Sequence, residues 1–182
     1  MSFAVNDIRS NLKLGGARPT LFQVRLTSNF TSDLANIASF MIQATSLPGS
    51  TIAPIEIPYW GRKIKVAGDR TFDDWSVQVM NDEDFKVRHA LETWHNKINS
   101  LRGNINTTAS ASPSNYKFQA EVSQYSKIGG IVRTYTFYGL FPTQISPIEL
   151  NWDSTNQIET FQVNFAYDWF EVTSPGNTGT LS

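Results

Sequence analysis

Phe161-Gln162-Val163-Asn164-Phe165-Ala166-Tyr167-Asp168-Trp169 places a large apolar side chain at every odd position and a polar or small one at every even position. Side chains alternate across a strand with a period of two, so this run predicts a half-buried antiparallel strand. The alternation recurs upstream. Phe22, Val24 and Leu26 oppose Gln23, Arg25 and Thr27, and Tyr116, Phe118, Ala120 and Val122 oppose Lys117, Gln119 and Glu121. Ala38, Phe40, Ile42 and Ala44 form a further alternating set. Gly129-Gly130, between Tyr116–Lys127 and Ile131–Phe141, supplies the positive φ values of a tight hairpin. A second hairpin is expected to join Arg62–Val66 to Trp75–Met80 through Ala67–Thr71.

One helix interrupts the strands. Val87, Leu91, Trp94, Ile98 and Leu101 fall at spacings of four, three, four and three, a single apolar stripe that predicts a helix over about 83–102. Asn81 or Asp82 is positioned to cap it, Glu83 and Asp84 suit its positive end, and Arg102-Gly103 closes it. The fold class is therefore mainly β: a small antiparallel barrel or sandwich with one flanking helix, in a single domain over 1–182 with a flexible tail from about 173. Residues 47–61 read as a loop because Pro48, Gly49, Pro54 and Pro58 break regular structure, yet Ile52, Ile55, Ile57, Tyr59 and Trp60 are strongly apolar. Such a segment needs a cover, either the chain's own core or a neighbouring subunit.

Composition narrows the function. Of 182 residues only 17 % are charged, against roughly 25 % in ordinary domains, while 40 % are hydrophobic. There is no cysteine, hence no disulfide framework and no thiolate metal site. No apolar run is long enough to span a bilayer, and Met1–Lys13 lacks a signal peptide's apolar core, so the chain is expected to remain in the cytoplasm where it is made. The net charge of −1 conceals a division. All 15 bases lie at or before Arg133, whereas residues 134–182 carry Glu149, Asp153, Glu159, Asp168 and Glu171, giving +4 and −5 for the two parts. Either the monomer has a dipole, or opposed regions of neighbouring subunits meet head to tail.

A search for chemistry returns little. His89 and His95 are six apart on the helix, so they do not stack as a metal-binding pair spaced by four would. The run Asp82-Glu83-Asp84 lacks the alternation of a calcium loop. Asp73-Asp74 would point to opposite faces of a strand, which suits turns and salt bridges rather than a carboxylate dyad. No nucleophile elbow or phosphate loop is present. By elimination no catalytic, cofactor or metal site is expected, and a structural or binding domain is indicated.

The run Arg62-Lys63-Ile64-Lys65-Val66-Ala67-Gly68-Asp69-Arg70-Thr71-Phe72-Asp73-Asp74-Trp75, continuing through Val77, Val79 and Met80-Asn81-Asp82-Glu83, closely resembles the tail tube proteins of contractile-tailed bacteriophages. Ala17–Val24, Gly139–Thr143 and Asn151–Asn156 with Ile158, Thr160, Phe161 and Val163 agree in order. The resemblance spans roughly residues 17–170.

It implies a virion protein, assembled in the host cytoplasm, whose hexameric rings stack into a hollow tube inside a contractile sheath. Implied partners are further copies of the chain, the sheath, baseplate and tail-terminator proteins, and genome DNA crossing the lumen without specific binding. Inter-subunit contacts are assigned to Ile55, Ile57, Tyr59, Trp60, Arg62, Lys63, Lys65, Asp69, Arg70, Asp73, Asp74, Glu149 and Asp153. A non-adhesive lumen is expected to be polar, with Gln23/Thr27, Gln119/Ser123 or Thr134/Thr136 as candidate linings. Rival readings are a tube subunit of a phage-derived injection device or secretion system, and a ligand-binding β-barrel or lectin-like sandwich.

Overall fold

The computed structural model describes residues 12, 16–27, 38–106 and 112–175. Nine strands and one long helix are present among them: β1 (Phe22–Thr27), β2 (Ile42–Thr45), β3 (Ser50–Tyr59), β4 (Arg62–Phe72), β5 (Trp75–Met80), α1 (Lys86–Ile98), β6 (Phe118–Tyr125), β7 (Ile131–Ile145), β8 (Thr160–Ala166) and β9 (Trp169–Thr173). All strand pairs are antiparallel.

Two sheets share the long strand β7. Its first part lies between β6 and β9, with β1 beyond β6, and its last part joins β8, followed by β5 and β2. β1 and β2 end the path without pairing to each other, so the sheets form a sandwich rather than a closed barrel. Gly139 is the corner. It has φ 70° within the register shift opposite Phe118–Ala120, where one extra residue on β7 bends the strand. A Cβ there would overlap the Asp168 carboxylate, which takes two hydrogen bonds from Lys117 Nζ at 2.8 and 2.9 Å. Glycine is required both for the backbone sign and for this close approach.

The core fills the space between the sheets and α1. Trp75 stacks on Phe137 with centroids 4.5 Å apart and donates its indole N–H to the Ser46 carbonyl at 2.9 Å. Trp94 of α1 meets Phe118 edge to face and reaches Phe165, donating to the Tyr116 carbonyl at 2.9 Å. Both indoles thus bury their area while satisfying their donor. Val87, Ala90 and Leu91 complete the buried stripe of α1, and Ile98 packs beside it.

Several expectations are corrected. The run 161–169 is two strands, because Tyr167-Asp168 carries the chain from one sheet to the other and the Asp168 N–H bonds the Tyr138 carbonyl. Residues 38–41 are helical, so only Ile42–Thr45 of that alternating set pairs as a strand. The predicted hairpin through Ala67–Thr71 does not form: β4 runs continuously to Phe72 and pairs with β3, the segment expected to be a loop. The helix is shorter than 83–102, with Phe85 in the left-handed region at its start. Asp82 instead caps the preceding turn through the Glu83 N–H, and Leu101 is exposed beyond the helix. The hairpin at Gly129-Gly130 forms, closed by Ser126 N–H to the Gly130 carbonyl at 2.8 Å, but only Gly129 takes a positive φ, 88°. Thr173 still belongs to β9, and the rest of the expected tail beyond Pro175 lies outside the described residues, as do most of Met1–Lys13 and residues 107–111 of the Asn104–Asn115 loop. Among the described residues no helix is long and apolar enough to cross a membrane.

Candidate assembly surfaces

Among the described residues strands β3 and β4 pair only with each other, forming an arm separate from the seven-stranded body. The two-residue connection Trp60-Gly61 has φ 47° and 73°, the double positive sign that a tight, twist-matched hairpin needs. Register then sorts the arm into two faces, because directly opposed residues point the same way. Ile55 opposes Val66, Ile57 opposes Ile64 and Tyr59 opposes Arg62, which makes one face apolar. Glu56 opposes Lys65 and Pro58 opposes Lys63, which makes the other largely charged, with Lys63 Nζ bonded to Glu56 at 2.7 Å.

Among the described residues the apolar face of the arm stays open to solvent. Ile57 is 49 % exposed, Ile64 52 %, Tyr59 62 % and Trp60 90 %. Every β3 residue is exposed, and in β4 all but Gly68 and Phe72 are. The arm is fixed at its root, where Phe72 packs against Tyr167 and Phe170 with centroids 5.7 and 5.6 Å away. Asp73 and Asp74 follow directly. Burial, reinforced by these two carboxylates, pushes the Tyr167 hydroxyl above its ordinary pKa.

The arm therefore gathers Ile55, Ile57, Tyr59, Trp60, Arg62, Lys63, Lys65, Asp69 and Arg70, while Asp73 and Asp74 lie at its base. Glu149 and Asp153 sit elsewhere, in the connection 146–159 between β7 and β8. That connection holds Glu149, Asp153 and Glu159 without a base, so its charge is −3, whereas the arm's four bases outnumber its two acids. Among the described residues Arg62, Lys65, Arg70, Glu149 and Asp153 form no ion pair. The connection also presents apolar side chains to solvent: Trp152 is fully exposed, and Leu150 and Ile158 are largely so. Leu150 and Trp152 are contact candidates that charge-based reasoning passed over; their signal was apolar residues in a stretch without strand alternation. His89 and His95 are exposed on α1, and no group of residues suited to hold a metal ion occurs among the described residues.

Among the described residues the sandwich thus carries two exposed surfaces, an apolar arm and a separate acidic connection that bears Trp152. The chain belongs to the phage tail tube protein family, whose model matches residues 3–173. It is 38 % identical over 172 residues to tail tube protein gp19 of Enterobacteria phage T4, covering 92 % of this chain and 99 % of that one, with the same figures for phage T6. In fold it resembles a chain of the sheath-tube complex of an extracellular contractile injection system, PVC, in its extended state (TM-score 0.56, 14 % identity, 96 % and 100 % of the two chains). It also resembles a chain of the tube-terminating cap of the anti-feeding prophage (TM-score 0.63, 15 % identity, 87 % and 91 %). The protein is thus a tail tube protein of a contractile phage, a structural component of the virion tail.

Proposed function

We propose that six copies form a ring, that rings stack into the inner tail tube, and that the β3–β4 arm makes the contact between rings. The uncovered apolar face of the arm carries this reading. Exposed apolar area of this extent marks a surface destined for a partner, and persistent interfaces bury aromatic and aliphatic anchors inside a polar rim. Ile57, Tyr59 and Ile64 fit the anchor role, and Lys63 and Lys65 on the opposite face fit the rim. Ring closure requires each subunit to offer different surfaces to its two neighbours, and stacking requires a further top-to-bottom pair. The basic arm and the acidic connection with Glu149 and Asp153 are complementary in charge for that second pair.

The assembled tube works as a conduit for genome DNA during ejection, enclosed by a contractile sheath and bounded by baseplate and terminator proteins. It is built in the host cytoplasm and performs no catalysis. Its work is done by shape: a rigid wall transmits the sheath's contraction, and a non-adhesive lumen lets DNA slide.

Replacing Tyr59 and Trp60 together by Ala tests the arm assignment. The variant is expected to remain a folded subunit by circular dichroism yet to give no long tubes in electron micrographs. Tubes of ordinary length would refute the role of the arm.

A further inference from the structure

The outward face of the second sheet is uncharged and polar. Its strands, β2, β5, β8 and Phe141–Ile145 of β7, contain no ionisable residue. Trp75, Val77, Val79, Phe161, Val163 and Phe165 point into the core, so the intervening Ser76, Gln78, Gln162 and Asn164 point out. Register brings these side chains together: Gln78 opposes Gln162, Ser76 opposes Asn164, and Asn164 opposes Gln144 across the next strand pair. They bond one another. The Gln162 amide donates to Ser76 Oγ at 2.6 Å and to Asn164 Oδ1 at 3.2 Å. Asn164 donates to Gln144 Oε1 and Gln78 donates to Thr160 Oγ1, each at 3.2 Å. An amide and hydroxyl lattice thus runs laterally from β7 through β8 to β5.

We infer that this face is the lumen wall of the tube, the surface along which duplex DNA slides. The assignment rests on the tube architecture proposed above. DNA adheres to proteins mainly through phosphate contacts that release counterions, and a wall without Lys or Arg offers none. Neutral donors also bind phosphate oxygens and fix register on a duplex, but here Gln162 spends its amide on two neighbouring oxygens and Gln78 and Asn164 each commit one N–H, which leaves fewer donors for a phosphate. The face stays wettable, and its one large apolar side chain on β5 and β8 is the half-buried Met80 at the end of β5, which separates it from the arm with its row of exposed anchors. The first sheet is less suited. Its outward positions include Arg25 opposite Glu121 and Glu171 opposite Thr136, so the candidates Gln23/Thr27, Gln119/Ser123 and Thr134/Thr136 share their faces with charge. Ser123 and Thr134 bond each other at 3.1 Å, but no lattice extends from them.

The absence of native cysteine makes the test direct. Gln162→Cys and Gln78→Cys are prepared separately, assembled, and exposed to a small fluorescent maleimide or to maleimide-derivatised ferritin, which is too large to enter a tube. Each cysteine is expected to react with both reagents in the unassembled subunit. In intact tubes it is expected to keep the small-reagent signal and lose the ferritin signal. Ferritin labelling of tubes would place the face outside, and loss of both signals would bury it in a subunit interface; either overturns the assignment. Failure of both variants to form tubes, while the unaltered chain forms them, would also indicate an interface and overturn it. If the unaltered chain forms no tubes at all, the tube architecture itself fails. As a second readout, tubes of Gln162→Lys are expected to retain short duplex DNA on sedimentation at low salt and release it at high salt, where unaltered tubes retain none. Equal retention by both kinds of tube would overturn the non-adhesive wall.

Discussion

The arm and the body are made from the same alternating pattern, yet they place their apolar side chains in opposite situations. In β5, Trp75, Val77 and Val79 are 1, 1 and 2 % exposed, whereas in β4 Ile64 and Val66 are 52 and 46 % exposed. The strands are equally regular and the residues equally apolar, so the difference is in what lies opposite. β5 faces α1 and a second sheet, while the apolar face of β3–β4 is left open by the described residues. Alternation specifies that a sheet has an apolar face; it leaves open who covers that face. In the body the cover is intramolecular and supports folding, and in the arm it is proposed to come from the next ring and to support assembly.

Substitutions rank along that contrast when read as loss of subunit stability. Trp75→Ala is the largest. It removes a fully buried indole stacked on Phe137 and bonded to Ser46, so a loss of about 3–5 kcal/mol is expected in urea unfolding of the unassembled subunit. A loss under about 1 kcal/mol, the range of an exposed position, would mean that the body is not the folding unit and would break the comparison.

Gly139→Ala comes next and sets a body glycine against an arm glycine. Positive φ for a residue with a Cβ costs on the order of 1–3 kcal/mol. At Gly139 the overlap with Asp168 is added, and it disturbs the contact with Lys117. Gly61 at the arm tip has the same sign, φ 73°, but no atom lies within 4 Å of its added Cβ. Thermal unfolding of both alanine variants should therefore show a clearly larger drop in Tm for Gly139→Ala. Equal drops would mean that backbone sign alone matters at the corner.

How far the sequence carried these distinctions depends on which physical signal each feature leaves. The strand faces of β1, β6 and β8, the Gly129-Gly130 turn and the α1 stripe were legible because period and turn chemistry are local. The break at Tyr167-Asp168 was hidden, since alternation continues unaltered when a chain passes from one sheet to another. Pro54 and Pro58 made β3 read as a loop; both are accommodated because β3 pairs on one side only, leaving an open edge where a missing N–H costs little. The excess of apolar residues in 47–61 did mark the arm, although the partner of β4 was misassigned because pairing between β3 and β4 is a matter of register. The amide lattice left no linear signal. Gln78, Gln144, Gln162 and Asn164 are ordinary outward polar residues until three strands bring them side by side.

The smallest effect on stability sharpens the contrast most. Lys65→Glu, on the charged face of the arm, breaks no ion pair among the described residues, so subunit stability should stay within about 0.5 kcal/mol of the unaltered value. Assembly should respond differently. If the arm meets the connection that bears Glu149 and Asp153, the reversal sets like charges against each other, and the fraction of protein sedimenting as tubes should fall at low salt. Screening shortens the range of such contacts to about 8 Å at physiological ionic strength, so the defect should shrink as salt is raised. Adding Glu149→Lys, or separately Asp153→Lys, restores opposite charges, and whichever recovers the tube yield identifies the residue that faces Lys65. Recovery by neither, with the single reversal still defective, would keep the arm in the interface while directing its charged face toward some other surface. An unchanged yield for the single reversal would leave the apolar face as the whole of the contact, with the basic rim facing solvent.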